Sequence, residues 1–231
     1  MGDLLVLWDV DYTLLSAGGL GNSLYEAVFR EMFGRELTAV APKAGRTDRA
    51  IMLDTLALAG VPEPRAHVDD FLAALADWVT ALDGSVQAEV HALPGASGAI
   101  AALAAAGLRQ SVLTGNIRPL AALKLRLAKL GDHLNLDAGA YGDVHEVRAE
   151  LVPVARQAAR AAYGADFCGA STVLVGDTPL DVTAALATGA RAVAVATGSF
   201  AAADLAAAGA HAVLPDLIDA SLVLAAVTGR T

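Results

Sequence analysis

The sequence predicts an α/β fold, a doubly wound parallel sheet of Rossmann-like type interrupted by one inserted all-α segment, on three observations. Four short runs rich in Val and Leu, namely Leu4 to Trp8, Gln110 to Leu113, Thr172 to Val175 and Ala192 to Val195, each end at a turn or polar residue. Apolar runs of this length read as strands buried on both faces, the pattern of a parallel sheet. Helical, Ala-rich stretches separate them, and alternating strand and helix imply an open sheet with right-handed crossovers. Between about Leu15 and Val90 the pattern changes, because no strand signal is present and helical segments follow one another.

Taken in order, the first strand ends at Asp9 and the insertion follows it, with helices expected over Leu20 to Phe33, Arg46 to Ala59 and Arg65 to Leu82. Turn residues bound it, Ser16-Ala17-Gly18-Gly19 before and Ala92-Leu93-Pro94-Gly95 after. The expected organisation is therefore an α/β unit over 1–14 and 91–231 with a helical unit over 15–90. Gly18-Gly19-Leu20-Gly21 is not followed by the Lys-Ser/Thr of a P-loop and reads as a hinge. Beyond the insertion, helices are expected over Ala96 to Ala106, Pro119 to Leu130, Ala149 to Ala162, Leu180 to Thr188, Ala201 to Ala208 and Leu217 to Val227. Gly107, Gly131, Gly164, Gly189 and Gly209 stand at their ends, where glycine is the preferred terminator.

Composition narrows the function classes. A chain of 231 residues is one large domain, or one domain carrying an insertion. The 53 alanines raise the apolar share to 55% without building any run toward the roughly 20 residues a bilayer span needs. A net charge of -9 and the lack of a Lys/Arg cluster argue against nucleic acid, whose affinity rests on such charges. The lone Cys168 forms no intrachain disulfide, no zinc-type Cys/His spacing is present, and the amino terminus lacks the basic region of a secretory signal. A reducing cytoplasm, with no membrane association, is the expected setting.

In an open α/β sheet, ligands bind beyond the carboxyl ends of the strands. The residues there are Asp9-Val10-Asp11-Tyr12-Thr13, Thr114-Gly115-Asn116 and Gly176-Asp177-Thr178-Pro179-Leu180-Asp181. Four carboxylates so placed repel one another unless a cation joins them or one keeps its proton. Mg²⁺, a hard cation with oxygen ligands, resolves the repulsion and binds phosphate oxygens beside carboxylates. Singly, each of these residues also reads as a helix cap or turn former. Three such sets in this order, each after a buried run, read as a site for Mg²⁺ and phosphate.

These three sets resemble motifs one, two and four of the haloacid dehalogenase (HAD) superfamily, chiefly its phosphatase branch, across nearly the whole chain. The insertion after motif one is similar to the α-helical cap of the phosphoglycolate phosphatase and β-phosphoglucomutase group. The resemblance implies that Asp9 attacks phosphorus to form an aspartyl phosphate and that Asp11 serves as general acid and base. It implies that Thr114, with amides at Gly115 and Asn116, holds the phosphoryl oxygens. It further implies Mg²⁺ on Asp9, Asp11 (through its backbone carbonyl), Asp177 and Asp181.

The superfamily's third motif supplies a basic residue. Lys124 and Lys129 fall in the helix directly after Thr114 and are set aside for it. Arg148, 34 residues after Thr114 and 29 before Asp177, is the candidate. In the cap, Lys43-Ala44-Gly45-Arg46-Thr47-Asp48 resembles the Gly-x-Thr segment of phosphoglycolate phosphatase-like proteins. Arg46 and Thr47 are candidate substrate ligands, the other reading being a helix N-cap beside solvated arginines. The implied activity is hydrolysis of a small phosphorylated metabolite by a monomer or homodimer. Asp11 disfavours dehalogenation, which needs no acid there. A phosphomutase sharing the aspartyl phosphate, and a phosphate-sensing protein without turnover, stand as the alternatives.

Overall fold

The computed structural model describes residues 4–82 and 89–230. The expected unit boundaries at the two termini, and the cap residues 83–88, lie outside that range. Strand β1 (Leu5–Trp8) is buried at all its positions. A tight turn leads from it to β2 (Leu15–Ser16), which pairs antiparallel with β3 (His91–Ala92). Between those two strands run α1 (Leu20–Phe33), α2 (Asp48–Leu58) and α3 (Pro64–Ala81). The chain then alternates through α4 (Ala96–Ala105), β4 (Arg109–Val112) and α5 (Arg118–Leu127). Next come a 3-10 turn over Arg148–Glu150, α6 (Leu151–Tyr163), β5 (Thr172–Gly176), α7 (Pro179–Ala187) and β6 (Arg191–Val195). The described chain closes with α8 (Ala202–Ala207), β7 (Ala212–Leu214) and α9 (Ala220–Thr228).

The sheet has the order β4-β1-β5-β6-β7 and every pairing is parallel. Successive side chains of a strand face opposite sides. Val6 and Trp8 thus join one apolar layer with α4, α5, α9 and the inserted helices, while Leu5 and Leu7 join another with α6, α7 and α8. The indole of Trp8 donates to Gln110 Oε1 at 3.0 Å, satisfying its one polar atom inside that layer. Register aligns Trp8 with Val112 on one side and Val175 on the other, so Asp9, Thr114 and Asp177 leave neighbouring strand ends together. Among the described residues, no helix is long and apolar enough to cross a membrane.

Strands β2, β3 and β7 and the end of α5 differ from the sequence reading. The two-residue strands β2 and β3 tie the ends of the insertion together, too short to leave any periodicity. Strand β7 is three residues long and mostly half-buried, and its Ala-Val-Leu is too short to register as a strand signal. Helix α5 stops at Leu127 instead of running to Leu130, and Lys129, not Gly131, takes the left-handed conformation, with φ 58°. Two hydrogen bonds close that end, Lys129 N to Arg126 O at 3.1 Å and Leu130 N to Leu125 O at 2.9 Å, with Leu130 buried beneath them. This is the Schellman pattern, and burial of Leu130 offsets the cost of a left-handed lysine.

Candidate active site

The site begins where β1 ends. Asp9 continues the ladder through its N–H to Val175 O at 2.8 Å, which fixes its carboxylate at the sheet edge. The chain then reverses sharply, Leu14 and Leu15 both donating to Val10 O at 3.0 and 3.1 Å. That reversal places Tyr12 at φ 59°, a strained conformation for a bulky residue and one that clusters at functional sites. Thr197 anchors it by donating its hydroxyl to Tyr12 O at 2.6 Å.

Arg148 lies at the heart of the cluster. Its guanidinium is buried, with contacts of 2.6 Å to Asp9 Oδ1 and 2.6 Å to Asp181 Oδ1, and it donates to Leu113 O at 3.2 Å. The other oxygen of Asp181 accepts from the Thr178 N–H at 3.1 Å and hydroxyl at 2.7 Å, completing the capping box of α7. Asp177 accepts from the Thr13 hydroxyl at 3.2 Å. Asp9, Asp177 and Asp181 each present one oxygen, and these lie within 4.8 Å of one another.

Burial raises the pKa of Asp9 to about 7, with help from the charges of Asp181 and Asp11 and against the pull of Arg148. Burial, then the charges of Asp9 and Asp181, raise Asp177 to about 8. Crowded carboxylates with no nitrogen or sulfur among them are the donor set of a hard divalent cation, so these residues fit Mg²⁺. The folded chain keeps protons that the unfolded chain gives up near pH 3.8, so without metal these groups cost stability progressively as pH rises from about 4 to about 8. A cation competing with those protons binds better as they leave. The melting shift produced by Mg²⁺ is therefore expected to be larger at pH 8 than at pH 6 in differential scanning fluorimetry. A shift independent of pH would contradict it.

Gly198 closes the cluster from the loop after β6. A Cβ there would lie 1.8 Å from Asp177 Oδ2. Gly198→Ala is expected to displace Asp177 and weaken Mg²⁺ binding tenfold or more, about 1.4 kcal/mol, by isothermal titration calorimetry. Unchanged affinity would remove Asp177 from the metal site.

Thr114 is buried, and its hydroxyl oxygen accepts from the Asn116 N–H at 3.2 Å and the Asn116 side-chain amide at 2.9 Å. Both contacts use the oxygen as acceptor and leave its proton to be donated. Asn116 Nδ2 also donates to Asp11 Oδ2 at 2.6 Å. Lys124 Nζ, 5% exposed at its side chain, reaches Asp11 Oδ1 and Oδ2 at 2.8 and 2.7 Å and Asn116 Oδ1 at 2.7 Å. Lys124, and after it Asn116, hold Asp11 below the usual carboxylate range although burial pulls the other way.

A cavity of about 680 Å³ stands above these groups, with Asp9, Asp11, Thr114, Asn116, Arg148 and Asp177 in its wall. Gly115 also faces it and admits no side chain, since a Cβ would lie 2.0 Å from Arg46 O. Asp181 stands behind Arg148. The inserted helices form the roof and meet the core at several points, of which Asp48 lies nearest the floor. Asp48 N donates to Gly115 O at 2.7 Å, and Asp48 Oδ2 accepts from Ile117 N at 2.8 Å while Tyr25 donates its hydroxyl to the same carboxylate. Burial raises Asp48 to about 6.

Two expectations need correction. Thr47 is fully buried and its hydroxyl turns away from the cavity, accepting from Ala50 N at 3.2 Å as the N-cap of α2 and donating to Glu146 O at 3.0 Å. Arg46 lines the cavity, but its guanidinium is taken up by Pro42 O at 3.0 Å, Ala50 O at 3.1 Å and Asp54 at 2.6 Å. The helix-cap reading describes Thr47, because α2 needs its first amides satisfied at the point where it meets the core, while Arg46 is held by Asp54 and two backbone carbonyls. The sequence reading sets Lys124 aside and gives Asp48 no role, and the structure brings both to the cavity. Asn116, Leu120 and Lys124 recur every four residues, the spacing that lines one side of a helix, and that signal could have found the lysine.

Such a sheet, with an acidic site at its carboxyl edge and helices inserted after the first strand, defines a Rossmann-like α/β core with a site suited to a metal ion. A sequence profile of the haloacid dehalogenase-like hydrolase family matches residues 6–186, and the chain belongs to that family. No curated protein matches it. Among solved structures, one similar to it is a Bacteroides vulgatus protein provisionally described as a β-phosphoglucomutase, at 19% identity and TM-score 0.66, covering 99% of this chain and 90% of that one. A predicted phosphatase from Clostridium acetobutylicum matches at 17% identity and TM-score 0.67, over 96% and 98% of the two chains. A HAD family hydrolase from Deinococcus radiodurans, solved with bound phosphate and sodium, matches at 24% identity and TM-score 0.54, over 98% and 96%. At these identities the likeness establishes the fold.

Proposed function

We propose that the protein is a Mg²⁺-dependent phosphatase that hydrolyses a small phosphate monoester, phosphoglycolate- or sugar-phosphate-like, through an aspartyl phosphate on Asp9. Residues 15–90 serve as the cap of its cavity. One observation carries the reading: a buried carboxylate at the cavity floor, 2.6 Å from a buried guanidinium, within an oxygen cluster whose members lie inside 4.8 Å.

The chain's own groups divide the work. Thr114 gives its hydroxyl proton to a phosphoryl oxygen, amides of the Gly115–Asn116 turn add donors, and Arg148 sets positive charge beside Asp9. Preorganised donors of this kind favour the spread charge of a phosphoryl transition state. Asp9 forms a bond to phosphorus as the ester P–O bond breaks, and the leaving oxygen takes a proton from Asp11, which enters this step in its protonated form although at rest it is the carboxylate paired with Lys124. Asp11 then accepts a proton from the water that attacks the same phosphorus, which frees phosphate and restores Asp9. Asp9, Asp177, Asp181 and the Asp11 carbonyl would hold Mg²⁺, which when bound neutralises charge on the phosphoryl oxygens.

Membership of a hydrolase family supports this reading, and so does phosphate bound in the Deinococcus radiodurans relative. The likeness to a protein described as a β-phosphoglucomutase favours a second reading, in which Asp9 passes the phosphoryl group to another hydroxyl instead of water. Phosphate release from a panel of phosphate monoesters, phosphoglycolate and sugar phosphates included, with Mg²⁺ and with EDTA, separates them. Metal-dependent release is the expected result. Isomerised sugar phosphate with little free phosphate would establish the mutase, and neither product would point to a phosphate sensor.

A further inference from the structure

A buried ammonium is costly unless it is paired and its hydrogens are bonded. Lys124 meets both conditions in one place, because an ammonium has three donors and its three acceptors lie at 2.7 to 2.8 Å. Two of those acceptors are the two oxygens of Asp11. The side chain leans toward the amino end of α5, as helical side chains do, and so lies over the Thr114–Asn116 turn. Asn116 completes the frame, since its amide oxygen accepts from Lys124 while its nitrogen donates to both Asp11 and Thr114. Asp11 sits on a sharp turn and is the most accessible of the site's carboxylates, 32% exposed at its side chain. Left to the turn alone, it would sample several rotamers. The cavity wall carries four basic residues, Lys43, Arg46, Lys124 and Arg148; Lys43 donates to Asn22, Arg46 is committed to Asp54 and Arg148 to Asp9 and Asp181, and Lys124 is the one of the four that hydrogen-bonds Asp11.

We infer that Lys124, braced by Asn116, is the positioning residue for Asp11. It fixes that carboxylate toward the leaving oxygen and sets a positive charge on the leaving-group side of the cavity, opposite the charge Arg148 sets beside Asp9. The inference rests on the phosphatase reading of Asp11 given above. On that reading the two cations divide the reaction in space, one serving the bond that forms and the other the bond that breaks. Help of this kind matters for poor leaving groups, because an alkoxide needs its charge met and a nitrophenolate does not. A purely structural lysine would affect both ester types alike.

The test compares ethyl phosphate with 4-nitrophenyl phosphate in the full-length protein with Mg²⁺, for wild type, Lys124→Met, Lys124→Arg and Asn116→Ala. In Lys124→Met, kcat for ethyl phosphate is expected to fall by about 100-fold, the low end for lost acid-base catalysis, and for 4-nitrophenyl phosphate by less than about 10-fold. Lys124→Arg restores charge and is expected to recover part of that ratio. Asn116→Ala is expected to shift the ratio in the same direction as Lys124→Met, to a smaller extent, and decides the matter if Lys124→Met does not fold. An equal loss on both esters, or no change in their ratio in any variant, overturns the inference while leaving the phosphatase reading intact. Absence of phosphate release by wild type from both esters and from every member of the monoester panel overturns both.

Discussion

Asp9→Asn is expected to abolish phosphate release, by about 10⁴-fold or more, the scale on which loss of a covalent nucleophile registers. The amide matches the carboxylate in shape but offers phosphorus no anionic oxygen. The same change is expected to leave the fold undisturbed. In the native chain burial and neighbouring charges already hold the Asp9 pKa far above the ordinary value, so its ionised form is the costly one. A neutral side chain removes that cost, and Arg148 keeps Asp181 as its partner at 2.6 Å. Equal or higher melting temperature together with lost turnover, read by fluorimetry and a phosphate assay, is the expected pairing. Lost turnover accompanied by unfolding would assign Asp9 a structural role instead.

Arg148→Ala is expected to act in the opposite sense on stability. The guanidinium is buried against two buried carboxylates, and truncating one partner of such a cluster leaves charge without compensation. Losses of about 3 to 5 kcal/mol are usual for that change. In a chain of this size each kcal/mol shifts the melting temperature by about 2 to 4 °C, so a fall of roughly 10 °C near neutral pH is expected. The dependence on pH has a definite sign. As pH falls toward 5 the orphaned carboxylates take up protons, the charge is relieved, and the gap between variant and wild type narrows. A gap that stays constant from pH 5 to pH 8 would mean that Arg148 stabilises by packing and not by charge.

The parts of this structure legible in sequence are those fixed by short-range rules. The four buried runs, the inserted helices and the polar residues after Trp8, Leu113 and Val175 all follow from local pattern and from the topology of parallel sheets. Arg148 was legible through the resemblance, which calls for a basic residue between Thr114 and Asp177. What the sequence withheld depends on contacts distant along the chain. Lys124 lies 113 residues from Asp11, and its helical position looked too close to Thr114 to matter until the lean of its side chain was known. Asp48 meets Ile117 across 69 residues, as the roof meets the floor. Arg46 and Thr47 went the other way, because a motif placed at the cavity says nothing about which of its side chains face inward. Here the start of α2 claimed them.

The covalent role of Asp9 is the centre of the account, and trapping the intermediate tests it most directly. Wild-type protein mixed with Mg²⁺ and a turned-over ester, quenched in acid within the first turnovers, digested and read by mass spectrometry, is expected to carry the mass of one phosphoryl group on the peptide containing Asp9. The adduct is expected to be absent from Asp9→Asn and to disappear from wild type once substrate is exhausted. Steady phosphate release with no adduct on that peptide, or an adduct on another residue, would contradict the account.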